Sequence, residues 1–382
     1  MLSMGGFQMQ GIARTLLVDD LTESAFLTTV VAMGFAPTML VMSLFGGVAG
    51  DRMERRRVIQ ASQLGLVLIA AVIGVLIATG AVHWTHLLVA SLLQGVTFAF
   101  QMPARQAVIP KLVGKGNVTN AVALNSAGMG IMTIVAPGLA GVLYGQIGPE
   151  AVYFTITGIG IVAVLMTGMI PRIPPDADEA KRSVLQNIAM GFKYVRGNRV
   201  VRLLLLASLV AAIFEMPFRM QIPIYARRLY DIQASEIGWL MALMGVGALA
   251  ATLVTANLRA GHRRGPVMLV AGIGGTGLAM MLLAFFPWYL IGLFVMVGVG
   301  IAGSIRMTLG QSLVIEATDD AYRARVMSLQ MMGFGLMPLG ALPMGYMVDA
   351  LGAEWTLLAI GIALTAITFV FMMASPSLRR LS

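Results

Sequence analysis

The sequence predicts an all-α membrane protein, with twelve transmembrane helices in two pseudo-symmetric six-helix bundles. Three observations carry that reading. Of 382 residues, 58% are hydrophobic and 11% charged, with a mean hydropathy of +0.86, whereas soluble domains run at about 45–50% apolar and about 25% charged. Apolar runs of bilayer-spanning length, roughly 20 residues, recur along the whole chain; such runs must be helical, because hydrocarbon offers no water to backbone groups. Basic residues then collect in alternate loops, as they do on the cytoplasmic side of membrane proteins. The 44 glycines suit helices that approach closely in lipid.

The first span is read over 4–20 and contains Arg14, with Asp19 and Asp20 near its outer end expected as solvated loop charges or, alternatively, as participants in coupling. It lacks the cytoplasmic half that the pattern calls for, which points to a late start or an N-terminal truncation. Residues 1–10 have neither the basic start nor the apolar core of a cleavable leader. The second span, 24–49, runs into "FGGVAGDRMERRRVIQ", where six of the seven positions from Asp51 to Arg57 are charged. The third covers 58–80. The fourth, 86–108, follows "VHWTH", whose His83, Trp84 and His86 read as interfacial anchors rather than a metal site. The fifth and sixth cover 119–145 and 150–170.

Residues 171–199 are the one polar break longer than a turn. Within them Leu185, Ile188, Phe192 and Val195 recur at helical spacing beside Lys181, Arg182, Lys193 and Arg196, the pattern of a short interfacial helix. Six further spans follow at 200–224, 235–257, 266–286, 288–314, 326–348 and 353–374. The domains are therefore an N-terminal bundle (1–170), a linker (171–199) and a C-terminal bundle (200–382).

The halves read as a duplication. At an offset of 211, Ser24, Gly34, Gly50 and Arg52 meet Ser235, Gly245, Gly261 and Arg263. At 205, Met102, Gln106, Leu124 and Gly130 meet Met307, Gln311, Leu329 and Gly335. Paired bundles with substrate held between them are a transporter architecture. One set of loops carries 21 of the 26 Lys and Arg residues, which puts the linker and the C-terminus in the cytoplasm. The same rule accounts for the net charge of +9 without a nucleic-acid partner. The expected partners are the bilayer and a small-molecule substrate, bound by a monomer in a bacterial inner membrane.

Charge inside the spans points to the functional residues. Away from helix ends lie Arg14 in the first span, Glu215 and Arg219 in the seventh and Arg306 in the tenth, with Arg105 at the inner end of the fourth. A charge at bilayer depth costs several kcal/mol unless it faces a cavity or a partner. The first, fourth, seventh and tenth spans should therefore line a wet cleft, and the third, sixth, ninth and twelfth should face lipid. Glu215 and Arg219 can pair at i, i+4, and Pro217 and Pro223 should bend that span. Glu215 is either a structural ion-pair partner or a proton-titratable carboxylate or gate. Arg14 and Arg306 either bind an anionic group or pair with Glu215. Gln94, Gln101, Asn125, Gln311 and Gln330 add hydrogen-bonding capacity.

The run Gly47-x-x-Gly50-Asp51-Arg52-x-x-Arg55-Arg56 resembles the loop signature of the major facilitator superfamily. "QMPARQAVIP", "RARVMSL" and "MQGIARTLLVDDLTES" are similar to its enterobactin-exporter-like branch of bacterial efflux proteins. The resemblance covers essentially the whole chain. It implies a conformational latch, with Asp51 meeting the start of the eleventh span near Arg323 and Arg325. Drug/proton antiporters of the superfamily often carry an arginine three residues before a Gln-Gly pair; here Ser91 precedes Gln94-Gly95. The antiporter pattern of the fifth span is partial, with Pro137 and Gly141 present but Ala136 and Ala140 in place of glycines. His262 stands in the second half where Asp51 stands in the first.

The expected function is secondary active transport, proton-driven export of small amphiphilic molecules of siderophore or drug-like kind. An importer or facilitator on the same scaffold, or a membrane receptor or assembly factor, is the alternative. No cofactor is expected, the proton gradient being the energy source. The chain has no cysteine, which removes disulfides and thiolate metal sites, and it shows no nucleophile or phosphate-loop pattern, so an enzyme is not expected. The 30 methionines suit adaptable packing or a promiscuous pocket.

Overall fold

The computed structural model describes residues 2–42, 54–113, 118–171, 184–256 and 264–374. Among these, ten helices are long and apolar enough to cross a membrane. They are α2 (Ala25–Met42), α3 (Arg55–Ala78), α4 (Trp84–Val113), α5 (Val118–Gln146), α6 (Pro149–Gly168), α8 (Arg199–Tyr230), α9 (Ala234–Ala256), α10 (Arg264–Phe285), α11 (Tyr289–Glu316) and α14 (Ala353–Ala374). Two expected spans differ from these. α1 (Leu2–Thr22) is an unbroken helix, but Gln8, Gln10, Arg14 and Asp19 make it polar for a membrane span. The eleventh expected span is divided into α12 (Asp320–Met332) and α13 (Met337–Leu351) by a 3₁₀ turn at Gly333–Leu336.

Local chemistry sets the helix ends. Glu23 takes φ 50° between α1 and α2, and the Ser24 hydroxyl accepts the Leu27 N–H at 3.2 Å, a cap that contributes about 1 kcal/mol. Pro149 opens α6 at a position where its missing N–H costs nothing. The Asn198 side chain accepts the Val200 and Val201 N–H groups at 3.1 and 3.2 Å and starts α8. Asp231, at φ 50°, ends that helix.

Contacts divide the chain into two compact units, Met1–Arg182 with Gln233–Gly238, and Ser183–Ile232 with Trp239–Ser382. In the first, α1 packs on α2, α5 and α6, while α3 packs on α4 and α6. From Ile12 to Asp19 every residue of α1 is buried, the pattern of a helix enclosed on all sides. Asp19 is thus buried inside the last turns of α1, which corrects the expectation of a solvated loop charge. The neighbouring Asp20 is exposed and accepts the Tyr144 hydroxyl. α3 and α6 display Leu64, Leu68, Val72, Phe154, Ile161 and Leu165, among others, on exposed faces; in a bilayer their solvent is acyl chain.

In the second unit α10 packs on α11 and α14, and α14 shows Ile362, Phe369, Val370 and Met373 outward. The linker helix α7 (Val184–Gly197) belongs to this unit and docks on α12. The side chains of Leu185 and Ile188 lie outside the described set. Further along, Tyr194 stacks on Tyr322, with ring centroids 4.4 Å apart and planes at 12°, and its hydroxyl accepts the Asp319 N–H at 3.1 Å. The Arg325 guanidinium lies 5.3 Å from the Tyr322 ring centre. Phe192 and Lys193 remain exposed on the other side of α7. The linker helix therefore has a protein face as well as an amphipathic one.

Candidate functional site

Among the described residues, three deep charges come together in the second unit, where α8 and α11 meet. α8 is not regular. Ala211–Glu215 forms a π-turn, with the Met216 N–H reaching the Ala211 carbonyl, and such turns recur at functional sites. The sequence explains where it falls. Pro217 has no N–H, so the Ile213 carbonyl loses its i+4 donor, and the widened turn absorbs the mismatch. α13 closes over this carbonyl at Gly340, where any side chain would overlap Ile213. A second π-turn, Met268–Gly274 in α10, packs against α11 at Arg306; a Cβ on Gly272 would lie 2.8 Å from the Arg306 Cβ.

Glu215 ends the first π-turn and is 2% exposed. Its Oε2 lies 2.5 Å from Arg306 Nε, and its Oε1 lies 3.9 Å from Arg219 Nη1. The pairing read from i, i+4 spacing is thus the looser one, and the contact between helices is the tighter. Neither carboxylate oxygen receives an aligned hydrogen bond. The Arg219 and Arg306 side chains keep 22% and 14% of their surface accessible. Gly303, one turn before Arg306, makes the arrangement possible, since a methyl there would collide with the Arg219 guanidinium. Breaking such a buried pair by removing one partner costs about 3–5 kcal/mol, because the other charge is stranded.

The first unit holds a different network. Arg14 Nη1 donates to Gln94 Oε1 at 2.8 Å, and Gln94 Nε2 donates to Gln10 Oε1 at 2.8 Å. No carboxylate pairs with Arg14 among the described residues, and its Nε is buried without a partner, as is the Tyr153 hydroxyl. A small cavity of about 30 Å³ adjoins Gln10, Gln94 and Gln63. Gln63 donates to Ser3 at 3.1 Å, leaving its own oxygen unsatisfied; the cavity has room for one or two waters that would complete this chain. Ser91, at 0% exposure, faces Gly34, where a Cβ would lie 3.2 Å from its hydroxyl. An arginine has no room at that position.

The remaining expected residues are dispersed. Arg105 donates to Asn125 Oδ1 at 3.1 Å, linking α4 and α5. Gln101 is buried at 4% and Gln311 is exposed. Gly47, Gly50, Asp51 and Arg52 lie outside the described residues. Arg55 is 4% exposed, and Arg56 donates to the Ile170 carbonyl at 2.8 Å, just beyond the end of α6. Arg323 and Arg325 sit half-buried on α12. The sequence reading missed Gln10, Gln63, Tyr153, Gly272, Gly303 and Gly340. Gln10 alone left a trace, standing one turn before Arg14 in an apolar helix.

Comparison with known proteins agrees with this architecture. The chain is 27% identical over 377 residues to the multidrug efflux pump Tap of Mycolicibacterium fortuitum, covering 96% of this chain and 91% of that one. It is 24% identical to the staphyloferrin A transporter of Staphylococcus aureus, covering 89% and 85%, and 24% identical to the enterobactin exporter EntS of Shigella boydii, covering 86% and 78%. Among solved structures it shares its fold with the nucleoside transporter NupG (TM-score 0.77, 16% identity, 98% and 97% covered). A bacterial homologue of the human lysosomal transporter Spinster gives a TM-score of 0.73 at 15% identity, with 99% and 93% covered. The model of the Major Facilitator Superfamily matches residues 1–339. The chain belongs to that superfamily, and is a multi-pass membrane transporter rather than an enzyme.

Proposed function

We propose that the protein exports small amphiphilic molecules, siderophore-like or drug-like, by alternating access driven by proton entry. The observation that carries this reading is Glu215, a buried carboxylate on a π-turn between two arginines. A structural ion pair needs one cation. A carboxylate shared unequally between two can change partners, and a site of that kind suits a group that gains and loses a proton during the cycle. The relatives whose names speak of efflux or export lend support. The energetics suffice: one proton crossing about 100 mV and one pH unit releases about 3.7 kcal/mol, on the order of a several-hundred-fold substrate gradient.

In this reading Arg14, Gln94, Gln101, Arg105, Asn125, Arg219, Arg306 and Gln311 line or support the pathway with Glu215. Gly47, Gly50, Asp51, Arg52, Arg55 and Arg56 form a latch with Arg323 and Arg325. The protein works as a monomer in a bacterial inner membrane, with its C-terminus in the cytoplasm. Flux of candidate siderophores and drugs through proteoliposomes, with and without an imposed pH gradient, tests the proposal. Gradient-dependent accumulation is the expected result. Equal flux in both conditions would make it a facilitator, and no flux of any compound would end the transport reading for these substrates.

A further inference from the structure

We infer that the Glu215 site takes an organic anion, an amphiphilic carboxylate that competes with Glu215 for Arg219 and Arg306. The inference rests on the reading of Glu215 as part of the transport pathway and adds the class of substrate. Charge balance carries it. Arg219 and Arg306 bring two positive charges to a single carboxylate, leaving the cluster one anion short. Among the described residues neither guanidinium donates an aligned hydrogen bond to any protein acceptor, and Arg219 stands 3.9 Å from Glu215. Both forks are nonetheless accessible, and their planar donor geometry matches a carboxylate held by two parallel bonds. A dry, permanently structural ion cluster would be expected to saturate these donors; here Arg306 meets the carboxylate through Nε and Arg219 is left 3.9 Å away.

The surroundings fit an amphiphile. Gly303 and Gly272 let Arg219 and Arg306 pack closely against α11 and α10, and Phe218 and Ile222 are buried apolar residues of α8, the helix that carries Glu215 and Arg219. Among the described residues of the first unit no acid pairs with its own deep cation, and Arg14 meets the neutral amide of Gln94. Within the second unit Arg219 and Arg306 share one carboxylate, Glu215, a composition that disfavours cationic substrates. Glu215 acts as an internal stand-in for the substrate's carboxylate, holding the arginines when the site is empty. An incoming anion replaces it, so removing the stand-in should tighten binding.

Equilibrium binding to the purified full-length transporter in detergent tests this, using two probes with one fluorophore: dansylglycine, an anion, and dansylcadaverine, a cation. Dansylglycine should bind the wild type, about tenfold more tightly to Glu215→Gln, and at least about tenfold more weakly to Arg306→Gln. Should Arg306→Gln not purify as a folded protein, Arg219→Gln takes the same arm. Dansylcadaverine should show no dependence on either arginine. Preference for the cation, weaker anion binding in Glu215→Gln, or arginine variants that bind dansylglycine normally would each overturn the inference. No gradient enters this assay, so its failure would leave proton-driven transport standing, and failure of the flux assay would leave an anion site standing.

Discussion

A carboxylate held 2.5 Å from one guanidinium and 3.9 Å from another is poised between partners, and neighbouring glycines set how far those partners can move. At Gly303 a methyl group would meet the end of the flexible Arg219 side chain, whereas at Gly340 it would meet the fixed Ile213 carbonyl. Gly303→Ala should therefore fold normally yet displace Arg219, weakening dansylglycine binding several-fold. Gly340→Ala should lose about 1–3 kcal/mol, visible as a lower Tm in detergent; an unchanged Tm would remove the tight approach of α13 to the π-turn. In the other unit, Gln94→Leu strands the Arg14 guanidinium and should cost about 2–3 kcal/mol. Adding Arg14→Met should recover most of that loss, and a double variant no more stable than Gln94→Leu alone would show that Gln94 acts otherwise. The deep charges themselves were legible in the sequence, because ionic residues stand out in apolar spans. Their partners were legible only in part: the i, i+4 spacing gave Arg219, and Arg306 stood as one of two alternatives for Glu215, but nothing linked Arg14 to Gln94, 80 residues away.

Helices were readable for a similar reason. A bilayer demands unbroken apolar runs, so ten of the twelve expected spans meet helices of spanning length and composition among the described residues. Irregularities inside helices are a different matter. Pro217 announced a disturbance in α8, but whether a proline bends a helix or sits behind a π-turn depends on what packs against the orphaned carbonyl, here Gly340. The π-turn of α10 has no proline, and nothing in "MLVAGIG" marks it. The linker was recognised as helical from its periodicity, while its docking on α12 depends on Tyr322 and Asp319, far along the chain. Tyr194→Ala removes both the stack and the acceptor for the Asp319 N–H. It should free the end of α7 and speed proteolysis at Lys193 and Arg196 several-fold; an unchanged digestion rate would mean that the stack does not hold the helix.

On the scale of the whole molecule, alternate basic loops and the Gly47–Arg56 signature pointed to the superfamily that the matched residues then showed. Substrate and coupling leave a fainter mark, because they depend on a few side chains whose relation changes during the cycle. In the proposed cycle Glu215 exchanges a proton as substrate moves. That exchange is tested most directly by recording proton movement across proteoliposome membranes when a transported substrate is added, for wild type and Glu215→Gln side by side. Substrate-evoked proton flux is expected in the wild type and its loss in Glu215→Gln, while that variant still inserts and still exchanges labelled for unlabelled substrate. Undiminished proton flux in Glu215→Gln would contradict the proposed cycle.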